Sequence, residues 1–295
     1  MNHKNLAKLF TSADISKVAQ GDLRTVSSLQ QSFNELASLD TLVEIYDEAY
    51  KLLCTHYPNE YVLKNTIANN ILIGTHSMNT ASMLSELRIG TNRADCVIIN
   101  GISTCYEIKT QFDSLKRLPE QLKAYTSAFD KTIVVTHEKH LDALYKIHEE
   151  MPIFGIKVAN KKGRLSDKVI APLNTNFDTS FMFHSLRLEE YTNIAKTILG
   201  NLPEMPNTKI FQFCKDLFCS LPAHDANKLF KENLKYYRKN DHNFINMLPK
   251  SMKNIGISYN LSSKSKNNII DSLLGEISQN QGDMNVLPIF ERQAV

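Results

Sequence analysis

The sequence predicts an α/β protein: a mixed central sheet flanked by helices, with helical N-terminal and C-terminal extensions. Three observations carry this. The β-branched runs 96–100 and 102–108 meet at Asn100-Gly101, a strong short-range hairpin signal. Lys131–Thr136 is an apolar run suited to a buried parallel strand, and a helical stretch over about 138–150 separates it from a further run at 153–158. Helical patterning dominates before Pro58 and again after about 185, where Pro203, Pro206 and Pro222 punctuate it. The expected divisions are a helical segment 1–58, an α/β core 59–180 and a helical region 181–295.

In chain order, residues 1–38 read as helical, with polar Ser, Thr and Gln clusters and no strong apolar stripe. Asp40 is the predicted N-cap of a helix over 41–55, whose stripe is Leu42, Ile45, Tyr46, Ala49, Leu52 and Leu53. Asn59 is placed to cap a second helix over 61–73, stopped near Gly74. Leu84–Ile89 is the first strand, and the hairpin follows. Pro119 suits the first turn of the next helix, on which Gln121 and Tyr125 lie four apart and share a face. Asn160–Gly163 is a turn leading into a short strand at 165–170. Helices are expected over 187–199, 208–220, 224–239 and 266–278, and the last dozen residues should fray.

Composition excludes several classes. The 295 residues are 42% apolar and 22% charged, enough for a sizeable core, and no run of 18 apolar residues offers a membrane span. The N-terminus lacks the apolar centre and cleavage site of a signal peptide. Five Cys without a Cys-x-x-Cys pair read as reduced residues of a cytoplasmic protein. No Walker loop or Gly-x-Gly-x-x-Gly occurs, so no nucleotide cofactor is expected. His137 and His140 lack a third ligand at metal-site spacing, and Cys96 and Cys105 read as small core fillers. Charge is uneven: residues 224–268 carry nine Lys or Arg against three Asp or Glu, a local +6 in a chain of net +3.

The chemistry concentrates around the hairpin. Glu86, Asp95, Glu107 and Lys109 sit on or beside strands expected to be buried, where a carboxylate is costly unless it binds something. Carboxylates in pairs are ligands for Mg²⁺. Glu107 and Lys109 are two apart, so a strand turns both to one face. Asp95 joins them only if the hairpin loop has odd length, a bulge interrupts the hairpin, or the chain bends at Asp95. A two-residue Asn100-Gly101 loop would put Asp95 opposite Tyr106 and send Glu107 to the other face. A three-residue loop over 99–101, with Gly101 left-handed, would restore a shared face.

These residues resemble the PD-(D/E)xK nuclease superfamily, whose fold is restriction-endonuclease-like. The similarity is to a bacterial branch with an upstream Glu, Arg-x-Asp, Glu-Ile-Lys and a Gln-x-x-x-Tyr helix. Glu86, Arg93-Ala94-Asp95, Glu107-Ile108-Lys109 and Gln121 to Tyr125 fill those positions in order. The first motif has Ala before Asp95 where the superfamily name has Pro, and the resemblance spans roughly residues 60–160. It implies a nuclease that hydrolyses nucleic-acid phosphodiester bonds with Mg²⁺, or Mn²⁺ in its place, on DNA or alternatively RNA. Asp95, Glu107 and the Ile108 carbonyl would hold the metal, and Lys109 would orient water or stabilise phosphoryl charge. Some members carry a Glu on the preceding helix. None follows Glu60 there, so Glu86 is the expected third acid. Gln121 would bond near the metal or phosphate, with Arg88, Arg93 and Tyr125 as substrate contacts.

A second expected contact surface is the helix over 224–239, capped by Asp225. Lys228, Lys231, Lys235 and Arg238 fall within about 80° on its wheel. Ala226, Leu229, Phe230 and Tyr237 lie opposite, against the body. Lys231 and Lys235 would track phosphates. The expected partner is nucleic acid, with a homodimer as the expected assembly and no membrane. The alternative reading is a catalytically inactive nucleic-acid- or protein-binding module on the same fold.

Overall fold

A computed structural model describes residues 2–76 and 79–275. The chain is α/β, with a six-stranded mixed sheet and helices on both faces. Its strands are β1 (Ser82–Ile89), β2 (Asn92–Asn100), β3 (Ile102–Lys109), β4 (Lys131–Thr136), β5 (Gly155–Ala159) and β6 (Leu165–Val169), in that spatial order. β1, β2 and β3 form an antiparallel meander. β3, β4 and β5 run parallel, and β6 returns antiparallel. The two parallel connections carry the helices α5 (Leu118–Thr126) and α6 (Leu141–Glu150), as crossovers between parallel strands require.

Before the sheet come α1 (Ser12–Val18), α2 (Arg24–Ser32), α3 (Leu42–His56) and α4 (Glu60–Ile67), the last continuing as a π-helical turn over Ala68–Ile73. After it come α7 (Thr179–Phe183), α8 (Leu188–Leu199), α9 (Asn207–Cys219), α10 (Ala223–Tyr237), α11 (His242–Met247), α12 (Lys253–Ser258) and α13 (Ser263–Leu274). α13 begins three residues before the expected helix over 266–278, whose end, with the last dozen residues, lies outside the described residues. No helix among the described residues is long and apolar enough to cross a membrane.

Two caps differ from expectation by local chemistry. Thr41, not Asp40, caps α3. Its hydroxyl accepts from the Glu44 N–H at 3.3 Å while the Glu44 carboxylate accepts from the Thr41 N–H at 3.1 Å, a reciprocal pair that Asp40 lies one residue too early to make. α10 starts after Pro222, which leaves Asp225 inside the first turn instead of at the cap. Asn59 does cap α4, accepting from the Val62 N–H at 3.1 Å.

The core is not sequential. Leu6, Leu9, Phe10, Ile15 and Val18 from the N-terminal segment pack with the α3 stripe and with Phe244, Met252, Ile255 and Ile269 from the far end of the chain. The expected weak stripe in 1–38 is therefore a buried one, assembled from short helices whose partners lie more than 200 residues away. α4 covers one sheet face through Leu63, Ile67 and Ile71, against Met83, Cys96, Ile98 and Ile108. On the other face α5 and α7–α10 pack on Leu84, Val97, Ile99 and Cys105 through Tyr125, Met182, Ile194 and Phe230.

The hairpin loop is odd, as the site requires, but shorter than the three residues expected. Asn100 pairs with Ile102, so Gly101 alone turns the chain, at φ +71°. The ladder stops at Cys96–Tyr106. One further step in that register sets Asp95 opposite Glu107.

Candidate functional site

The site forms where β2 leaves β3. Leu84 and Leu87 are three apart yet pack into one cluster, and so are Ala94 and Val97 on the facing strand. A regular strand would send each pair to opposite faces. The reversal falls at Glu86 and Asp95, which sit across from each other between the pairs Ser85–Cys96 and Leu87–Ala94. Glu86 takes φ +55°, and no other non-glycine among the described residues has positive φ. A side chain held in that region is strained and persists where its surroundings fix it.

Asp95 replaces the lost ladder bond with one from its own side chain. Its Oδ2 accepts from the Ile108 N–H at 2.6 Å, so Ile108 contributes its amide here. From the β3 side, Glu107 is buried and its Oε1 accepts from Lys109 Nζ at 2.6 Å. Lys109 donates also to Gln121 Oε1 at 3.0 Å, so the α5 glutamine holds the lysine in place. Tyr125 is fully buried and donates to the Arg93 carbonyl at 2.7 Å. It braces β2 against α5 and is not open to a ligand, contrary to the expected substrate contact.

Electrostatics mark the pair of acids. Burial, then the charge of Glu107, push the Asp95 carboxyl up to about 8. Burial pushes Glu107 up as well, against the pull of the Lys109 ammonium. Glu107 Oε2 is buried with no hydrogen-bond partner. A buried carboxylate oxygen without a donor is an expensive feature, and either a proton or a cation relieves it.

Sequence reasoning missed two residues. Glu60, at the start of α4, brings a carboxylate to Glu86 and Asp95, with one oxygen of each lying within 4.8 Å of the others. Lys64, one helical turn on, is buried and pairs with both Glu60, at 2.7 Å, and Glu86. Burial alone would lower its pKa, but the two carboxylates reverse this and raise it. The Glu60-x-x-x-Lys64 spacing was the available signal, since four residues apart is one helix face. Glu60, Glu86 and Asp95 are the acids whose oxygens lie close enough together to hold a divalent ion, with the Glu107 charge acting on Asp95 from the β3 side.

The other candidates separate. Arg88 and Arg93 are exposed and directly opposite each other on β1 and β2. Lys231 is not a free cation: its Nζ pairs at 2.9 Å with buried Asp130, whose Oδ2 also accepts from the Ser103 N–H at 2.6 Å. Arg238 forks onto buried Glu190 at 2.6 and 2.7 Å. Half of the expected basic stripe thus fastens α10 to the body, while exposed Lys228 and half-buried Lys235 form no ion pair among the described residues. Tyr237 is exposed, not packed inward. His140 Nε2 lies 2.9 Å from the Thr110 carbonyl, and Cys96 and Cys105 are buried thiols with pKa values raised by burial.

Fold and site together define an α/β protein with a carboxylate–lysine cluster at a strand divergence. Residues 55–258 match the family described as bacteriophage P4 protein cII, and the chain belongs to that family. Protein cII of Enterobacteria phage P4 is 38% identical over 71 residues, which are 23% of this chain and 27% of that protein. The matched stretch thus spans about a quarter of that relative's length. Among solved structures, the SPO1766 protein of unknown function from Silicibacter pomeroyi aligns with a TM-score of 0.32 and 12% identity, covering 46% of this chain and 86% of that one.

Proposed function

We propose that the protein is a metal-dependent nuclease that hydrolyses nucleic-acid phosphodiester bonds, DNA in the first instance. One observation carries the reading. Asp95 and Glu107 converge where β2 and β3 part, with a buried Glu107 oxygen unpartnered and Lys109 anchored beside it by Gln121. The open Glu107 oxygen is an acceptor that a bound cation would meet.

Asp95 and Glu107 would hold Mg²⁺ or Mn²⁺, with Glu86 and Glu60 at the outer side. The bound ion would supply Lewis acidity at a phosphoryl oxygen. Lys109 places a positive charge beside the same acids and is fixed from two sides, so it meets developing phosphoryl charge without reorganising. The Ile108 N–H holds Asp95 in one rotamer, and Tyr125 fixes the β2 backbone two residues earlier.

The test is incubation of the purified protein with plasmid, linear single-stranded DNA and structured RNA, each in Mg²⁺, Mn²⁺ or EDTA. Cleavage in either metal and none in EDTA supports the proposal. Binding without cleavage in every condition would leave a binding module on this fold, a reading favoured by Lys64, whose ammonium already pairs with both Glu60 and Glu86.

A further inference from the structure

We infer that the cleft beside the β1–β2 turn is a stacking subsite for an unpaired stretch of nucleic acid. It holds about 460 Å³ and is lined by Arg88, Gly90, Thr91, Ser180, Phe181 and His184. The inference rests on the nucleic-acid partner proposed above, but not on cleavage.

Three independent features converge there. The first is charge. Arg88 and Arg93 lie directly opposite each other on adjacent strands, both exposed, and neither makes an ion pair among the described residues. Like charges in that relation destabilise a strand pair unless an anion sits between or beside them. Arg88 Nε donates to the Gly90 carbonyl at 3.1 Å, which ties this guanidinium to the turn at the cleft.

The second is an exposed aromatic ledge. Phe181 is 37% exposed and Phe211 is 40% exposed, with the exposed His184 ring 5.8 Å from that of Phe211. A phenyl ring in water beside the unpaired Arg88 guanidinium suits a base above it and phosphate at its edge. A duplex keeps its base faces stacked on one another and offers none to the ledge.

The third is that the ledge is held. Ile89 pairs with Asn92, so Gly90 and Thr91 make a two-residue turn with Gly90 at φ +59°. A Cβ at position 90 would come within 2.8 Å of Phe181 Cε1. The missing side chain lets one edge of the ring press against the turn, so little freedom remains to be lost on binding. Arg88 stands two residues from Glu86 and Arg93 two from Asp95, about 7 Å along each strand.

The experiment uses full-length Glu107→Gln protein in EDTA, with fluorescein-labelled oligothymidylate, oligouridylate and a DNA duplex of equal phosphate number. Anisotropy should show tighter binding of an unpaired probe than of the duplex. Phe181→Ala should weaken unpaired-probe binding about fivefold or more, from the loss of one stacked base, and Phe181→Tyr should restore it. Arg88→Glu, at a site exposed enough to spare the fold, should weaken unpaired-probe binding as well. Unchanged affinity in both Phe181→Ala and Arg88→Glu, or equal losses on duplex and unpaired probes, overturns the subsite. The two readings fail separately. Wild-type cleavage in Mg²⁺ with no effect of Phe181 removes the subsite alone, while Phe181-dependent binding without cleavage removes the nuclease alone.

Discussion

If Asp95 and Glu107 form a cation site, stability without the ion must fall as pH rises, and a divalent ion must cancel that fall. In the unfolded chain an Asp carboxyl ionises near 3.9. In the folded protein burial and Glu107 push Asp95 up to about 8. Between those values the folded state holds a proton that the unfolded state has released. The stability contributed by this group is complete below about pH 4 and is lost progressively as pH climbs toward 8. For one proton the slope is about 1.4 kcal/mol per pH unit. Two acids this close share one proton, so one is the number to use. Moving from pH 5.5 to 7.5 should therefore cost roughly 2–3 kcal/mol, read as a lower urea midpoint in EDTA. His137, which burial lowers, contributes with the opposite sign. Asp95→Asn supplies the background, because the amide oxygen can still accept from the Ile108 N–H and does not titrate. The difference in slope between wild type and Asp95→Asn isolates the effect. Saturating Mg²⁺ should abolish that difference by stabilising the ionised pair. Equal slopes in the two proteins, or a wild-type slope unmoved by Mg²⁺ or Mn²⁺, would rule out the linkage.

Other consequences are as direct. Lys109→Met and Gln121→Leu separate two roles in plasmid nicking: the first should cost at least about 10²-fold, the second less, because it loosens the lysine without removing it. Glu190→Ala leaves the part-buried Arg238 guanidinium without its carboxylate and should cost about 3 kcal/mol, or a melting temperature lower by roughly 6 °C in calorimetry. Lys231→Glu should destabilise in the same way by opposing Asp130. Lys228→Glu with Lys235→Glu should leave melting unchanged and, if these lysines meet phosphate, flatten the dependence of log affinity on log salt by about one unit or more.

The sheet was legible because its signals are local. Asn100-Gly101 marks the hairpin, and the apolar runs at 131–136 and 153–158 mark the parallel strands. The odd loop followed from parity and is present as Gly101 alone, although the ladder ends at Cys96–Tyr106, one step before Asp95 and Glu107. A bend at Asp95 was among the expected routes to a shared site, but the matching reversal of β1 at Glu86 was not legible. It depends on a non-glycine at positive φ, which no composition rule anticipates. Glu60 and Lys64 were overlooked because their meeting with Glu86 depends on how α4 crosses the sheet. Lys231 and Arg238 fit a solvent-facing stripe on the wheel, and only the positions of Asp130 and Glu190 turn them into fasteners. The N-terminal core stayed hidden for the same reason, since its partners lie at the other end of the chain.

Whether Asp95 and Glu107 bind the ion that drives phosphodiester hydrolysis is decided by supercoiled-plasmid nicking. Wild-type and Glu107→Gln proteins would be purified in parallel and shown by circular dichroism to be equally folded. Wild type should nick in Mg²⁺ or Mn²⁺ and not in EDTA, and Glu107→Gln should lose at least about 10²-fold. Equal nicking by the two proteins would place the chemistry elsewhere. No cleavage by wild type with any divalent ion, on plasmid, single-stranded DNA or RNA, would end the nuclease reading.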